Sequence, residues 1–287
     1  QRNIKEPERY KFLLPIYRRV KVDDGVEYLL SADIVFFSVY IWNYQISLKI
    51  AMGIKQLRKD CIVVFGGPQV SESAIGMRMF LENNPFVDIG CYGQGEIAFL
   101  SILENFEEQL WGNVSSIGFL NKENSFVYNT ASERISNLDE IPPVYSGGIF
   151  NSLINANPEQ SWSALIETNR GCPFLCSYCY WGKKARNKLY QFGMERIFQE
   201  IDWFSQNKIQ FVFCCDANFG IIDRDFEIVR KVSENKEKYG YPMAFSVQNT
   251  KNSTEKIFML QKILNDNDLQ KGVNIALQSL NKNTLKH

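Results

Sequence analysis

The chain has one histidine, His287, its last residue. Imidazole is the group most often used for acid–base work near neutral pH, so its absence from residues 1–286 argues against chemistry built on a histidine base or ligand. Charge of either sign in excess is missing too: Lys+Arg and Asp+Glu each number 32, leaving no global field to gather nucleic acid or an acidic membrane surface. Long apolar runs are lacking. The most apolar stretch, Ile34 to Ile54, is interrupted by Asn43, Gln45 and Lys49, whereas a membrane span needs about 20 predominantly apolar residues. No secretory leader opens the sequence, and seven cysteines, an odd number, suit a reducing cytoplasm better than a disulfide framework. These absences leave a cytoplasmic protein with a small-molecule or peptide substrate and with neither nucleic acid nor membrane as partner.

What is present begins with size: 287 residues, 45% of them hydrophobic, exceed one typical domain and can bury a full core. Ala32 to Tyr40 reads as a buried strand, followed by Ile46, Ile50, Ile54 and Leu57 at helical spacing. Cys61 to Pro68 is a second strand ended by Gly66-Gly67, with a helix over 70–83. Phe86 to Tyr92 is a third, followed by the turn Gly93-Gln94-Gly95-Glu96 and a helix marked by Phe99, Leu103 and Phe106. Such alternation predicts a parallel sheet covered on both faces, with ligands at the carboxyl ends of the strands. Residues 115–129 predict a hairpin turning at Asn121 to Asn124. Asn137 to Gly148, with Pro142, Pro143 and a glycine pair, reads as a linker. The boundaries expected are 1–140 for the first domain, 141–160 for the linker and 161–287 for the second domain.

Strand–helix alternation resumes in the second domain. Trp162 to Thr168 is a strand; Ile197, Ile201 and Phe204 lie on a helix; Ile209 to Cys215, Met243 to Gln248 and Val273 to Leu277 are further strands. Four such units describe part of a parallel barrel, whose chemistry gathers at the carboxyl ends of its strands. Asn169, Arg170, Asp216, Asn218, Gln248, Gln278 and Ser279 stand there. Cys214 and Cys215 alternate faces on their strand and read as small buried residues. The basic run Lys183, Lys184, Arg186 and Lys188 reads as a solvated loop edge, contact with an anionic substrate being the other reading.

Directly after the first of these strands, three cysteines fall within eight residues: Cys172-Pro-Phe-Leu-Cys176-Ser-Tyr-Cys179. Thiolates bind soft metals and iron–sulfur clusters, and this spacing lets one loop present three sulfurs to a single centre. No fourth ligand is near, so one coordination position stays open for chemistry. A structural zinc knuckle closed by Cys214 or Cys215, or plain core cysteines, are the alternatives.

The pattern Cys172-x3-Cys176-x2-Cys179, with Tyr178 before the last cysteine, resembles the radical S-adenosylmethionine (SAM) superfamily. Preceded by Ser38 to Asn43, Gly66-Gly67-Pro68 and Gly93-Gln94-Gly95-Glu96, it is similar to the cobalamin-dependent branch. The resemblance implies an α/β chain: a Rossmann-like parallel sheet of cobalamin-binding type, followed by a partial (β/α) radical SAM barrel. It implies a [4Fe-4S] cluster on Cys172, Cys176 and Cys179, with SAM chelated to it and cleaved reductively. Tyr178, Asp216, Asn218, Gln278 and Ser279 would contact SAM, and Ser38, Asn43, Gly66, Gly67, Gly93, Gly95 and Glu96 would surround cobalamin. Read as residues alone, the glycines could be tight turns, Asp216 and Asn218 a helix cap or Asx-turn, and Gln278 and Ser279 a cap. Many domains of this type ligate cobalt through a histidine in Asp-x-His-x-x-Gly; here that histidine is absent, so any bound cobalamin lacks a protein imidazole below, and a domain that kept the fold without the cofactor is the other reading. The implied activity is C-methylation of a small molecule or peptide, supported by an electron donor such as flavodoxin or ferredoxin. Alternatives are a rearrangement, ring contraction or epimerisation without methyl transfer, and a non-catalytic iron–sulfur or zinc module. Barrels of this family usually have at least six strand–helix units, so the expectation is that the chain is a piece of a longer protein.

Overall fold

The computed structural model describes residues 6–176, 179, 188–250, 255–273 and 279–283. The chain divides into two compact units, Gln1–Arg134 and Ile135–His287.

In the first unit the sheet has the order β1 (Ile34–Ser38), β2 (Ile62–Gly66), β3 (Ile89–Cys91), β4 (Ile117–Leu120) and β5 (Phe126–Tyr128). β1, β2 and β3 are parallel, in register Ile34 to Ile62 and Val64 to Ile89; β4 and β5 run antiparallel at the far side. The parallel part is the one the alternating pattern anticipates, and β4–β5 is the expected hairpin, its turn closed by Asn121 and Ser125.

β2 shows why the sheet is covered on both faces. Successive side chains of a strand point opposite ways. Val63 and Phe65 therefore enter one core with Ala51, Met77, Phe80 and Leu81 from α2 (Tyr44–Leu57) and α3 (Ala74–Asn83). Ile62 and Val64 enter the other, with Ala98 and Ile102 from α4 (Gly95–Glu104). Between these elements the C-terminal ends of β1, β2 and β3 lie at one edge of the sheet, as parallel pairing requires. α1 (Val22–Leu29), which the sequence left unread, sets Val26 against Ile50 and Ile54 of α2.

In the second unit β6 (Ser163–Ile166), β9 (Phe211–Phe219) and β10 (Ala244–Asn249) form a parallel sheet of order β10-β9-β6. Between β6 and β9 the chain inserts a small antiparallel pair, β7 (Asn169–Gly171) with β8 (Leu189–Gln191). Helices α6 (Met194–Gln206), α7 (Asp225–Tyr239) and α8 (Glu255–Asp266) follow β8, β9 and β10; a five-residue helix, α5 (Asn151–Asn155), precedes β6. Ile197, Ile201 and Phe204 of α6 meet Val212, Cys214, Phe245 and Leu260 in one core. Burying each such side chain contributes roughly 1.5–3 kcal/mol. The strand expected at Val273 to Leu277 falls largely outside the described residues, and so does Gln278.

Residues 141–160, read from composition as a linker, pack onto this second unit. Leu138 is fully buried in its core, with Ile141, Tyr145, Phe150 and Ile154 against it. Arg196 of α6 donates to the carbonyls of Leu138, Ile141 and Pro142, and Glu200 accepts the N–H of Val144 at 3.0 Å. Pro142, Pro143 and the glycine pair keep residues 141–148 out of helix, α5 follows at Asn151–Asn155, and the whole stretch packs. Tyr145 lies edge-on to Phe204, ring centroids 4.7 Å apart. Its hydroxyl donates to the carbonyl of Leu165 at 2.8 Å and accepts the Leu165 N–H at 3.1 Å, along the side of β6 that faces away from β9. Cys215 also departs from expectation: it does alternate with buried Cys214, but it is exposed.

Candidate functional site

The three-cysteine loop is held at the carboxyl end of β6. Beyond Ile166 the strand's partner β9 continues, and its pairing with β10 slips, advancing from Cys214 to Phe219 while β10 advances from Val247 to Asn249. Such irregularities re-aim side chains beside sites. Here they leave Asp216 and Asn218, on the buried face of β9, turned toward the chain leaving β6. Neither residue caps a helix.

Asp216 is 1% exposed. Its Oδ1 accepts the N–H of Thr168 at 2.7 Å and that of Asn169 at 3.2 Å; its Oδ2 accepts Asn169 Nδ2 at 2.6 Å and the Thr168 hydroxyl. Both oxygens are thus committed inside the chain, and the residue ties β9 to the start of β7. Burial pushes its carboxyl up to about 6, against the hydrogen bonds from Thr168 and Asn169, which pull it down. Two residues further, Asn218 Nδ2 donates to Cys172 Sγ at 3.1 Å. The same strand therefore grips the loop twice, before and at its first cysteine.

The hairpin β7–β8 brackets the loop from the other side. Gly171 is paired with Leu189 and has φ +116°, where a Cβ would lie 2.2 Å from the carbonyl oxygen of Lys188. Only glycine fits immediately before Cys172. Arg224 donates to the carbonyls of Thr168 at 2.7 Å and Phe192 at 2.5 Å, joining the ends of β6 and β8. Sequence reasoning missed Arg224, whose partners lie 32 and 56 residues away; no local pattern signals it. Arg170, placed on the rim, forks onto Glu167.

All seven cysteines are thiols. Cys172 is buried, Cys176 and Cys179 are partly exposed, and the Cys179 N–H donates to the Cys176 carbonyl at 3.0 Å. Among the described residues no group of three His, Cys, Asp or Glu side chains stands assembled around a metal position. The fit to a cluster rests on the donor chemistry: three thiols on one anchored loop, the buried one beside an amide N–H and none in a disulfide. Tyr178 lies outside the described residues. Ser279 is described; its Oγ accepts the Asn281 N–H at 3.0 Å.

In the first unit the predicted residues gather at the ends of β1, β2 and β3. Asn43 closes the β1 exit loop, its Oδ1 accepting the Tyr40 N–H at 2.7 Å and its Nδ2 donating to the Ser38 carbonyl at 2.9 Å. Exposed Tyr40 and Trp42 stack at 4.7 Å on that loop. The Val39 N–H donates to the Gly66 carbonyl at 2.7 Å, joining the first loop to the second. The glycines divide into two kinds. Gly67 has φ +96°, and a Cβ there would lie 2.8 Å from the Val39 carbonyl oxygen, so the turn alone demands it. Gly95, the first residue of α4, has no positive φ and no atom within 4 Å of an added Cβ. Among the described residues nothing requires glycine there. Gly93 has φ +75° and the same open space, and Glu96 follows in the first turn of α4. Among the described residues the space beside Gly93 and Gly95 is open, and side chains there would fill it.

Comparison with known proteins bears on both sites. TokK, a cobalamin-dependent radical SAM methyltransferase from Streptomyces tokunonensis, is 31% identical over 281 residues, 96% of this chain and 41% of that protein. The chain is homologous to cobalamin-dependent radical SAM enzymes. A second relative, 2-(S-pantetheinyl)-carbapenam-3-carboxylate methyltransferase from Streptantibioticus cattleyicolor, is also 31% identical with the same coverage. The chain thus spans about two fifths of the length of these curated relatives. The fold agrees with that of TsrM, a radical SAM methyltransferase from Kitasatospora setae solved with tryptophan and a SAM analogue, at a TM-score of 0.64 and 15% identity over 91% of this chain and 52% of that one. TsrM has also been solved with cobalamin and a [4Fe-4S] cluster bound. No family model matches the chain. Among the described residues no helix is long and apolar enough to cross a membrane.

Proposed function

We propose that this chain is the cobalamin-binding and cluster-bearing part of a radical SAM C-methyltransferase acting on a small molecule or peptide. The observation that carries the reading is the cysteine trio, fixed at the carboxyl end of β6 by Asp216 and Asn218, in a chain alignable with TokK over 96% of its length. When bound, a reduced [4Fe-4S] cluster supplies the electron that cleaves SAM, and cobalamin supplies a carrier for the methyl group.

The chain's own residues have the following parts. Cys172, Cys176 and Cys179 would hold the cluster. Asp216 acts at one remove, orienting Thr168 and Asn169 and so the entry to the loop, while Arg224 fixes the exit at Phe192. Asn218 stands beside the cluster, and Tyr178, Gln278 and Ser279 remain the candidates for SAM contact. Gly93, Gly95 and Glu96, with Ser38 and Asn43 across the sheet edge and Gly66 and Gly67 shaping the turn between them, cradle the cobalamin. With no histidine before residue 287, residues 1–286 would offer a bound cobalamin no imidazole. An external donor such as flavodoxin or ferredoxin reduces the cluster, in a cytoplasmic setting.

The test is anaerobic reconstitution of the chain with iron, sulfide and hydroxocobalamin, followed by metal analysis and an absorption spectrum. Iron and sulfide in [4Fe-4S] stoichiometry together with retained corrin bands support the reading. Zinc in place of iron overturns it, and a cluster without corrin removes the methyl-transfer part.

A further inference from the structure

We infer that Asn218 sets the electron affinity of the cluster by donating its side-chain N–H to the sulfur of Cys172. The inference rests on the cluster reading above and goes beyond it, since that reading needs only the three sulfurs.

Three observations carry it. Nδ2 of Asn218 is 3.1 Å from Cys172 Sγ, within the range of an N–H···S hydrogen bond. Both partners are buried, Asn218 at 3% and Cys172 at 7% exposure, where an electrostatic contact is weakened little by water. The donor also sits on a rigid element: Asn218 belongs to β9, whose neighbour Phe219 is pinned through its carbonyl by the Thr250 N–H at 3.1 Å, and whose Asp216 holds the entry to the loop.

The physical consequence follows from charge. Adding an electron to the cluster increases negative charge on its thiolate sulfurs, so a fixed donor stabilises the reduced state more than the oxidised one and raises the potential. Of the three cysteines, the buried one carries this donor. A neutral amide suits the position, because a carboxylate there would act in the opposite sense; the carboxylate of Asp216 is engaged by Thr168 and Asn169. Asn218 is in this respect a positioning and tuning residue.

The experiment is an EPR-monitored redox titration of the anaerobically reconstituted chain, without SAM, for wild type, Asn218→Leu and Asn218→Ser, with iron and sulfide measured on each. The expected result, read on the protein that holds cluster, is a lower midpoint for Asn218→Leu and an intermediate one for Asn218→Ser. At a fixed poise the ratio of reduced to oxidised cluster in Asn218→Leu falls on the order of tenfold, equivalent to about 59 mV for a one-electron couple. Equal midpoints in wild type and Asn218→Leu, both carrying cluster, overturn the inference and leave the cluster reading intact. Should Asn218→Leu fail to hold iron, Asn218→Ser decides: a midpoint below wild type supports the inference, and an unchanged midpoint or lost cluster overturns it. Wild type without iron overturns the cluster reading itself, and the inference with it.

Discussion

Asp216 receives both the backbone N–H and the hydroxyl of Thr168, across 48 residues of sequence. The pair joins the middle of β9 to the end of β6 at the step where the chain turns toward its cysteines. Truncating the acceptor leaves the buried hydroxyl, amide and two N–H groups of Thr168 and Asn169 without it. Asp216→Ala is expected to cost about 3 kcal/mol or more, read by urea unfolding. Thr168→Val, which removes one donor and keeps the shape, is expected to cost about 1–2 kcal/mol.

The same carboxyl gives a pH dependence with a definite sign. Its folded value, about 6, lies above the ordinary 3.8, so the folded state binds its proton more tightly than the unfolded state. The resulting stabilisation is complete below about pH 4 and is lost as pH rises through about 6, a change on the order of 3 kcal/mol. Burial raises Asp225 and Glu200 in the same direction. A carbon-13 NMR titration of the Asp216 carboxyl should show a midpoint near 6; a midpoint below the ordinary 3.8 would show that hydrogen bonding outweighs burial.

Gly171→Ala places a methyl 2.2 Å from the Lys188 carbonyl oxygen at φ +116°. The expected cost is about 1–3 kcal/mol or more, taken up by splaying β7 from β8. Iron retained after gel filtration should fall, although every cysteine is intact.

Gly95→Ala and Gly67→Ala separate ligand from fold in the first unit. Gly95→Ala meets no atom of the chain and should leave thermal stability unchanged or slightly higher, while corrin uptake falls. Gly67→Ala, crowded against Val39 at positive φ, should lower stability directly. Equal corrin uptake by wild type and Gly95→Ala would remove the glycine from the cradle.

Cysteine substitutions test the choice of metal. Cys172→Ser, Cys176→Ser and Cys179→Ser should each lose iron, whereas Cys215→Ser should keep it. A zinc knuckle closed by Cys215 predicts loss in that variant as well.

How much could be read from sequence varied with the range of the interaction. The strands at 34–38 and 62–66 announce themselves as apolar runs, because a strand buried on both faces must be apolar at nearly every position; of β9 only the apolar part up to Cys215 does so, and its end from Asp216 to Phe219 does not. The cysteine spacing is equally local. β7 was invisible: Asn169-Arg170-Gly171 has three residues, no alternation and no apolar member, and only its pairing with β8 makes it a strand. The packing of residues 141–160 is not legible in composition for the related reason that Glu200 and Arg196, which hold them, lie some 55 residues on. The sequence puts Asp216 at the end of its strand, but its partners Thr168 and Asn169 follow from register that no local pattern reveals.

The hydroxyl of Tyr145 has a consequence for the sheet's outer margin. By engaging both backbone groups of Leu165, a single phenol satisfies what an added strand would otherwise satisfy, and it denies another copy of the chain a place to zip on. Tyr145→Phe would unmask that sticky border, with self-association as the result.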